Sequence, residues 1–202
     1  MKKLISTLLV LAIMLCGLAI AEAKTVKPMV PEIDLAAPAD GIYGVVFEPS
    51  DLTDGTLKCT VYTEDCYDIV DISTLAEGDT IYLGGIDFQI ESLERADDLI
   101  VNGGWDNGGF NLRPFDEDNC WKAVMDDDYT TWTAYGETTL PLDDAVSFTD
   151  GWDIEKEPVT VSGAEAVEAA IHGTDMEYFA YLNTTVRVEN GRIVEINRSY
   201  MP

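Results

Sequence analysis

The chain has 202 residues, and 38 acidic against 12 basic side chains give it a formal charge of -26 at neutral pH. So negative a surface repels polyphosphate backbones and anionic lipid, which excludes the electrostatic route to nucleic-acid binding and favours cations or basic partners. An apolar content of 47%, with Trp and Tyr spread along the chain, is that of a globular protein, so the charge does not imply disorder.

The N-terminus carries Lys2 and Lys3, an apolar run from Leu8 to Ala21, and then Ala21-Glu22-Ala23, the three parts of a secretory signal peptide with cleavage after residue 23. The run is shorter than the roughly 20 apolar residues a spanning helix needs, and no second such run follows. The expectation is a secreted or cell-surface protein with no stable membrane insertion after cleavage. Cys16 follows Ile13, Met14 and Leu15 and lacks the small residue that precedes a lipidated cysteine. Removing residues 1–23 takes away two positive charges and one negative, leaving -27.

Residues 24–40 hold Pro28, Pro31 and Pro38 among small side chains, a composition that predicts an extended spacer. Residues 41–202 then read as one β-rich domain, the alternative being two packed subdomains, 41–115 and 116–202. Residues 41–47 and 56–63 are rich in Val, Tyr and Thr and predict strands, while 67–72 fits either a strand or a helical turn. From Gly78 to Leu112, short β-type runs at 80–83, 86–93, 99–101 and 110–112 are separated by glycine pairs or charged turns, predicting consecutive antiparallel strands. Within this stretch Asn102-Gly103-Gly104 is repeated as Asn107-Gly108-Gly109 around Trp105 and Asp106. Asn and Gly reach positive φ cheaply, so the loop either packs close to another backbone segment or admits a ligand, with Trp105, Asp106 and Asn107 as its binding residues.

Two acidic loops follow, around 115–119 and at Asp126, Asp127 and Asp128. The second is the candidate calcium site, although the DxDxDG spacing with a distal Glu is absent. Residues 130–140 alternate as a strand that Pro141 is expected to end, and 146–149 predict a further short strand. Ser162 with Glu165 has the form of a capping box, predicting one short helix near 162–172 with Ala164, Val167, Ala170 and Ile171 inward and Gly173 closing it. Asn190-Gly191 between two β runs predicts a C-terminal hairpin that sets Glu189 opposite Arg192. The expected fold is therefore mainly β, antiparallel strands forming a barrel or sandwich.

Three cysteines remain after cleavage. Cys59 and Cys66 would face each other if they lay on the two arms of one hairpin, making them the expected disulfide. His172 is the only histidine, and neither GxSxG nor HExxH is present, which argues against histidine-dependent hydrolysis. Abundant carboxylates keep an acid–base pair for glycoside cleavage open without singling one out. Trp105, Trp121, Trp132 and Trp152 each have Asp or Asn close in sequence, which suits stacking on sugar rings, with core packing as the ordinary alternative.

The lysine-started leader, acidic β-rich body and terminal ENGRIVEINRSYMP segment loosely resemble exported acidic proteins of Gram-positive gut-type bacteria, a likeness that implies export and transfers no activity. The reading is an exported, non-enzymatic binding or surface-interaction module with no resident cofactor other than calcium and a glycan or basic protein as partner. The alternative is a carboxylate-dependent glycan hydrolase.

Overall fold

The computed structural model describes residues 23–115, 119–125, 129–174 and 179–200. The chain is mainly β, as the turn punctuation predicted, and of the two forms left open it is sandwich-like. Alternation organises it: in β4 (Thr56–Glu64), Leu57, Cys59 and Val61 are buried while Lys58, Thr60, Tyr62 and Glu64 turn to the other face. β4 belongs to a seven-stranded sheet with β2 (Gly41–Val46), β3 (Leu52–Thr53), β12 (Trp132–Gly151), β13 (Val159–Ser162), β14 (Thr184–Glu189) and β15 (Arg192–Ser199). The order is β13-β12-β15-β14-β2-β4-β3, and the first half of β12 also pairs with β4, so the ladder runs in a ring through β12, β15, β14, β2 and β4. Inside lie Val45, Leu57, Val146, Val186, Ile193 and Ile196, covered by Val167 and Ile171 of the helix α2 (Ala164–His172).

Between β4 and β12, with β1 added from the N-terminal side, the chain builds a second, smaller unit. Strands β5 (Cys66–Tyr67), β8 (Leu93–Arg95), β9 (Leu99–Val101), β10 (Phe110–Phe115) and β11 (Cys120–Val124) form a sheet in the order β5-β11-β10-β9-β8. Strands β1 (Thr25–Val26), β6 (Thr80–Leu83) and β7 (Ile86–Gln89) form another, in which β1 runs parallel to β6. The undecided stretch after β5 is a short helix, α1 (Ile69–Ser73), capped by the Asp68 carboxylate accepting from the Val70 N–H. Tyr67, Ile72, Ile81, Leu99, Phe110 and Leu112 make this unit's own apolar cluster. The partition between the two clusters thus follows the ends of β4 and β12 and does not fall at residue 115.

Several expectations are corrected. Segment 24–40 is no free spacer: Val26 is buried in the smaller cluster, worth about 1.5 kcal/mol, and the Met29 N–H donates to the Cys66 carbonyl. Further on, the Tyr135 hydroxyl bonds both backbone groups of Ile33, and the Thr138 hydroxyl donates to the Leu35 carbonyl at 2.6 Å. Pro141 does not end its strand. β12 is antiparallel to β4 as far as Pro141 and parallel to β15 from Leu142 onward, so the proline sits where the strand exchanges neighbours and a missing donor costs least. Ser162 does not cap the helix, because it is still paired with Ser147 at the end of β13. The chain turns from strand to helix in the single residue Gly163, at φ 95°, whose N–H donates to the Val146 carbonyl.

The hairpin agrees with expectation. Asn190 and Gly191 both take positive φ, and Glu189 stands opposite Arg192. The ion pairs are nevertheless made by Arg187, to Glu195 at 2.8 Å and to Glu189, while Arg192 donates to the Leu142 carbonyl. No helix among the described residues is long and apolar enough to cross a membrane. The expected signal peptide falls almost wholly outside the described residues.

Candidate functional site

The Asn102–Gly109 loop is closed by its own hydrogen bonds. Gly104 donates to Val101, Asn107 and Gly109 donate to Gly104, and Gly108 donates to Trp105. The side chain of Asn102 receives the Glu91 and Ser92 N–H groups and donates to Gln89. Gly109 has a purely steric reason to exist: a Cβ there would stand 1.9 Å from the Val101 carbonyl oxygen. Trp105 is 48% exposed and Asp106 is exposed, whereas the Asn107 amide donates inward to the Gly103 carbonyl. All three residues assigned to a ligand here stand at the surface, with the amide of Asn107 turned into the loop.

Asp126, Asp127 and Asp128, the calcium candidates, lie outside the described residues. Among the described residues, no group of three or more His, Cys, Asp or Glu is arranged to hold a metal ion.

The expected Cys59–Cys66 bridge is replaced by Cys66–Cys120, with Cα atoms 5.7 Å apart. β4 runs unbroken through Glu64, so no turn folds Cys66 back onto Cys59, which instead points into the larger core. Pairing of β5 with β11 sets Cys66 opposite Lys122 and so beside Cys120. Cys59 stays a thiol, and burial, helped by the Asp51 carboxylate, pushes its pKa up to about 12. Tyr67 is likewise pushed upward, by burial first and then by the charge of Asp65, and its hydroxyl donates to the Tyr82 carbonyl.

His172 lines a cleft of about 840 Å³, along with Asp54, Asp144, Glu168 and Arg192. Three of its polar side chains are already used. The Glu168 carboxylate receives the N–H groups of Asp54 and Gly55, His172 Nε2 donates to the Leu52 carbonyl at 2.8 Å, and Arg192 is held by Leu142. These contacts fasten α2 to the β3–β4 turn, so this cleft reads as a seam between elements.

A second cleft, of about 620 Å³, has a different character. Its floor is the outer face of the large sheet, where Ile42, Gly44, Tyr62, Glu64, Trp132 and Thr185 come together. The register explains this, because Tyr62 is the cross-strand neighbour of Gly44 on one side and Ala134 on the other. Gly44 carries no side chain, and the Tyr181 backbone and Trp132 fill that space: a Cβ at 44 would meet the Tyr181 carbonyl oxygen at 3.1 Å and the indole at 3.3 Å. Tyr181 stacks on Tyr62 with centroids 4.4 Å apart and lies 6.3 Å from Trp132, so the three rings brace one another. One wall is the docked segment with Met29, Pro31 and Glu32, and the other is Lys122 beside the disulfide. Lys122 Nζ donates to the Glu64 carboxylate at 2.6 Å, lies 4.7 Å from the centroid of the Phe115 ring, and leaves the second Glu64 oxygen to the Thr130 hydroxyl.

This arrangement sets aromatic rings beside a Glu64–Lys122 ion pair, its ammonium buried, in one open depression. It can stack against a ring and hydrogen-bond its substituents. Two carboxylates among the described residues, both outside this cleft, have a definite shift, and both are lowered. Glu195 is held below its ordinary value by Arg187 and then Asn197, and Asp153 by Lys156 and then the Glu155 N–H. Sequence reasoning named Trp132 among the stacking candidates but passed over Tyr62, Glu64 and Lys122. The alternation of residues 57–64 already placed Tyr62 and Glu64 on one face. No family model matches the chain, and no curated protein or solved structure matches it significantly.

Proposed function

We propose that this is an exported, non-enzymatic binding module, secreted or held at the cell surface, that takes a polar ring such as a saccharide in the cleft over Tyr62 and Trp132. The supporting observation is the meeting, in one open depression of about 620 Å³, of braced aromatic rings with the Glu64–Lys122–Thr130 cluster. That volume lies within the usual range for small-ligand sites. The high negative charge supports a partner that is neutral or basic and disfavours nucleic acid.

A glycan array combined with a reducing-sugar release assay tests the reading. Binding without release, weakened by Trp132→Phe and untouched by Trp105→Phe, is the expected result. Sugar release abolished by loss of one carboxylate would make the protein a hydrolase, and binding lost only in Trp105→Phe would move the site to the Asn-Gly-Gly loop.

A further inference from the structure

Resting on the cleft as the ligand site, we infer that its ligand is a cationic amino saccharide, with the ring against Tyr62 and Trp132 and a free ammonium group at Glu32. The charges lining the cleft decide between ligand classes. Lys122 is the cation in the lining, and its ammonium is engaged by Glu64, whose other oxygen is held by Thr130. Glu32 stands exposed on the docked segment and makes no ion pair among the described residues. The cleft therefore presents one unneutralised carboxylate beside aromatic faces, in a chain of net charge -26 that concentrates cations around it. An ammonium gains twice from this setting, through the carboxylate and through the ring quadrupoles, whereas a neutral sugar gains from stacking alone and an anionic one is repelled.

The position of Glu32 follows from the fold. Its neighbour Ile33 is held through both backbone groups by the Tyr135 hydroxyl, and Met29 is held by Cys66, so the carboxylate stays at the rim and not on a loose tail.

Isothermal titration of the chain lacking residues 1–23, with a glucosamine hexasaccharide and with the same hexasaccharide N-acetylated, tests the inference at mildly acidic pH and low salt. The free amine should bind about tenfold tighter, the sum of a modest exposed charge pair and a cation–π contact. That preference should shrink at high salt and in Glu32→Gln. Glu32 is exposed, so the substitution leaves folding intact. Equal binding of the two sugars overturns the inference and leaves the cleft reading standing, provided Trp132→Phe weakens both. A preference for the amine that is undiminished in Glu32→Gln overturns it too, because attraction to the overall charge and the rings then suffices. Binding of neither sugar defeats both readings.

Discussion

Opening the Cys66–Cys120 bridge should remove a large share of the stability. The bond closes a loop with a sequence separation of 54. Loop-closure entropy for that length is about 14 cal/mol/K, or about 4 kcal/mol at 25 °C, against a total of roughly 5–15 kcal/mol for an ordinary domain. Both sulfurs belong to the smaller unit, where β5 and β11 hold Tyr67 against Ala123 and Leu112. The Cys66→Ala/Cys120→Ala double variant, compared with the oxidised parent by urea unfolding, should lose about 4 kcal/mol, with a somewhat steeper denaturant dependence from a more expanded unfolded chain. Hydrogen exchange should rise most in β6 to β11 and least in β14 and β15. A thiol reagent should find no reactive group in the folded exported chain and one, Cys59, after denaturation, because burial holds that thiol protonated. A loss below about 1 kcal/mol, or three thiols in the denatured and unreduced chain, would refute the reasoning.

The two Asn-Gly-Gly glycines on the far side of Trp105 should behave differently: Gly109→Ala meets the Val101 carbonyl and should cost about 3 kcal/mol or more, while Gly108→Ala, in open space at φ 80°, should cost about 1. Equal costs in chemical denaturation would refute this account of the loop. Asp150 receives a two-point hydrogen bond from Arg198, which is itself buried 4.4 Å from the Phe179 ring, so Asp150→Ala should cost about 2 kcal/mol, whereas Asp153→Ala, whose partner Lys156 is exposed, should leave the unfolding midpoint in place. Glu195 is stabilised in its ionised form by Arg187 and then Asn197, so its contribution is complete above its ordinary value near 4.5 and is lost as pH falls through the lowered folded value. Thermal unfolding of Glu195→Gln should accordingly show a shallower loss of stability on acidification than the parent, and parallel profiles would count against the assignment.

What was legible in the sequence is what local chemistry decides. The alternation at 57–64, the Asn190-Gly191 turn and the apolar stripe at Val167 and Ile171 each specify an element without reference to the rest of the chain. What was hidden depends on which strand finds which. Cys59 and Cys66 looked like partners only on the assumption of a turn between them, and β4 has none. Pro28, Pro31 and Pro38 argued for a spacer, but Val26 and the backbone of Met29 and Ile33 found partners in elements whose nearness no local pattern announces. Ser162 made a correct capping motif in the wrong register, because the ladder to Ser147 claimed it first.

The cleft is the clearest case. Gly44 interrupts a good β run, and a glycine inside a strand marks either a weak point or a place where something must come close. What comes close is the Tyr181 carbonyl oxygen and, beside it, Trp132, brought there by the pairing of β12 with β4 across the closed ring, with Ala134 opposite Tyr62. A side chain at 44 would have to displace the Tyr181 backbone and the indole, spoiling the ring contacts that support Tyr62. Gly44→Val should therefore abolish ligand binding while costing the larger core little, since the change is on the outer face. Retained affinity with a displaced Trp132 would show that the indole is packing for the sheet and no part of the site.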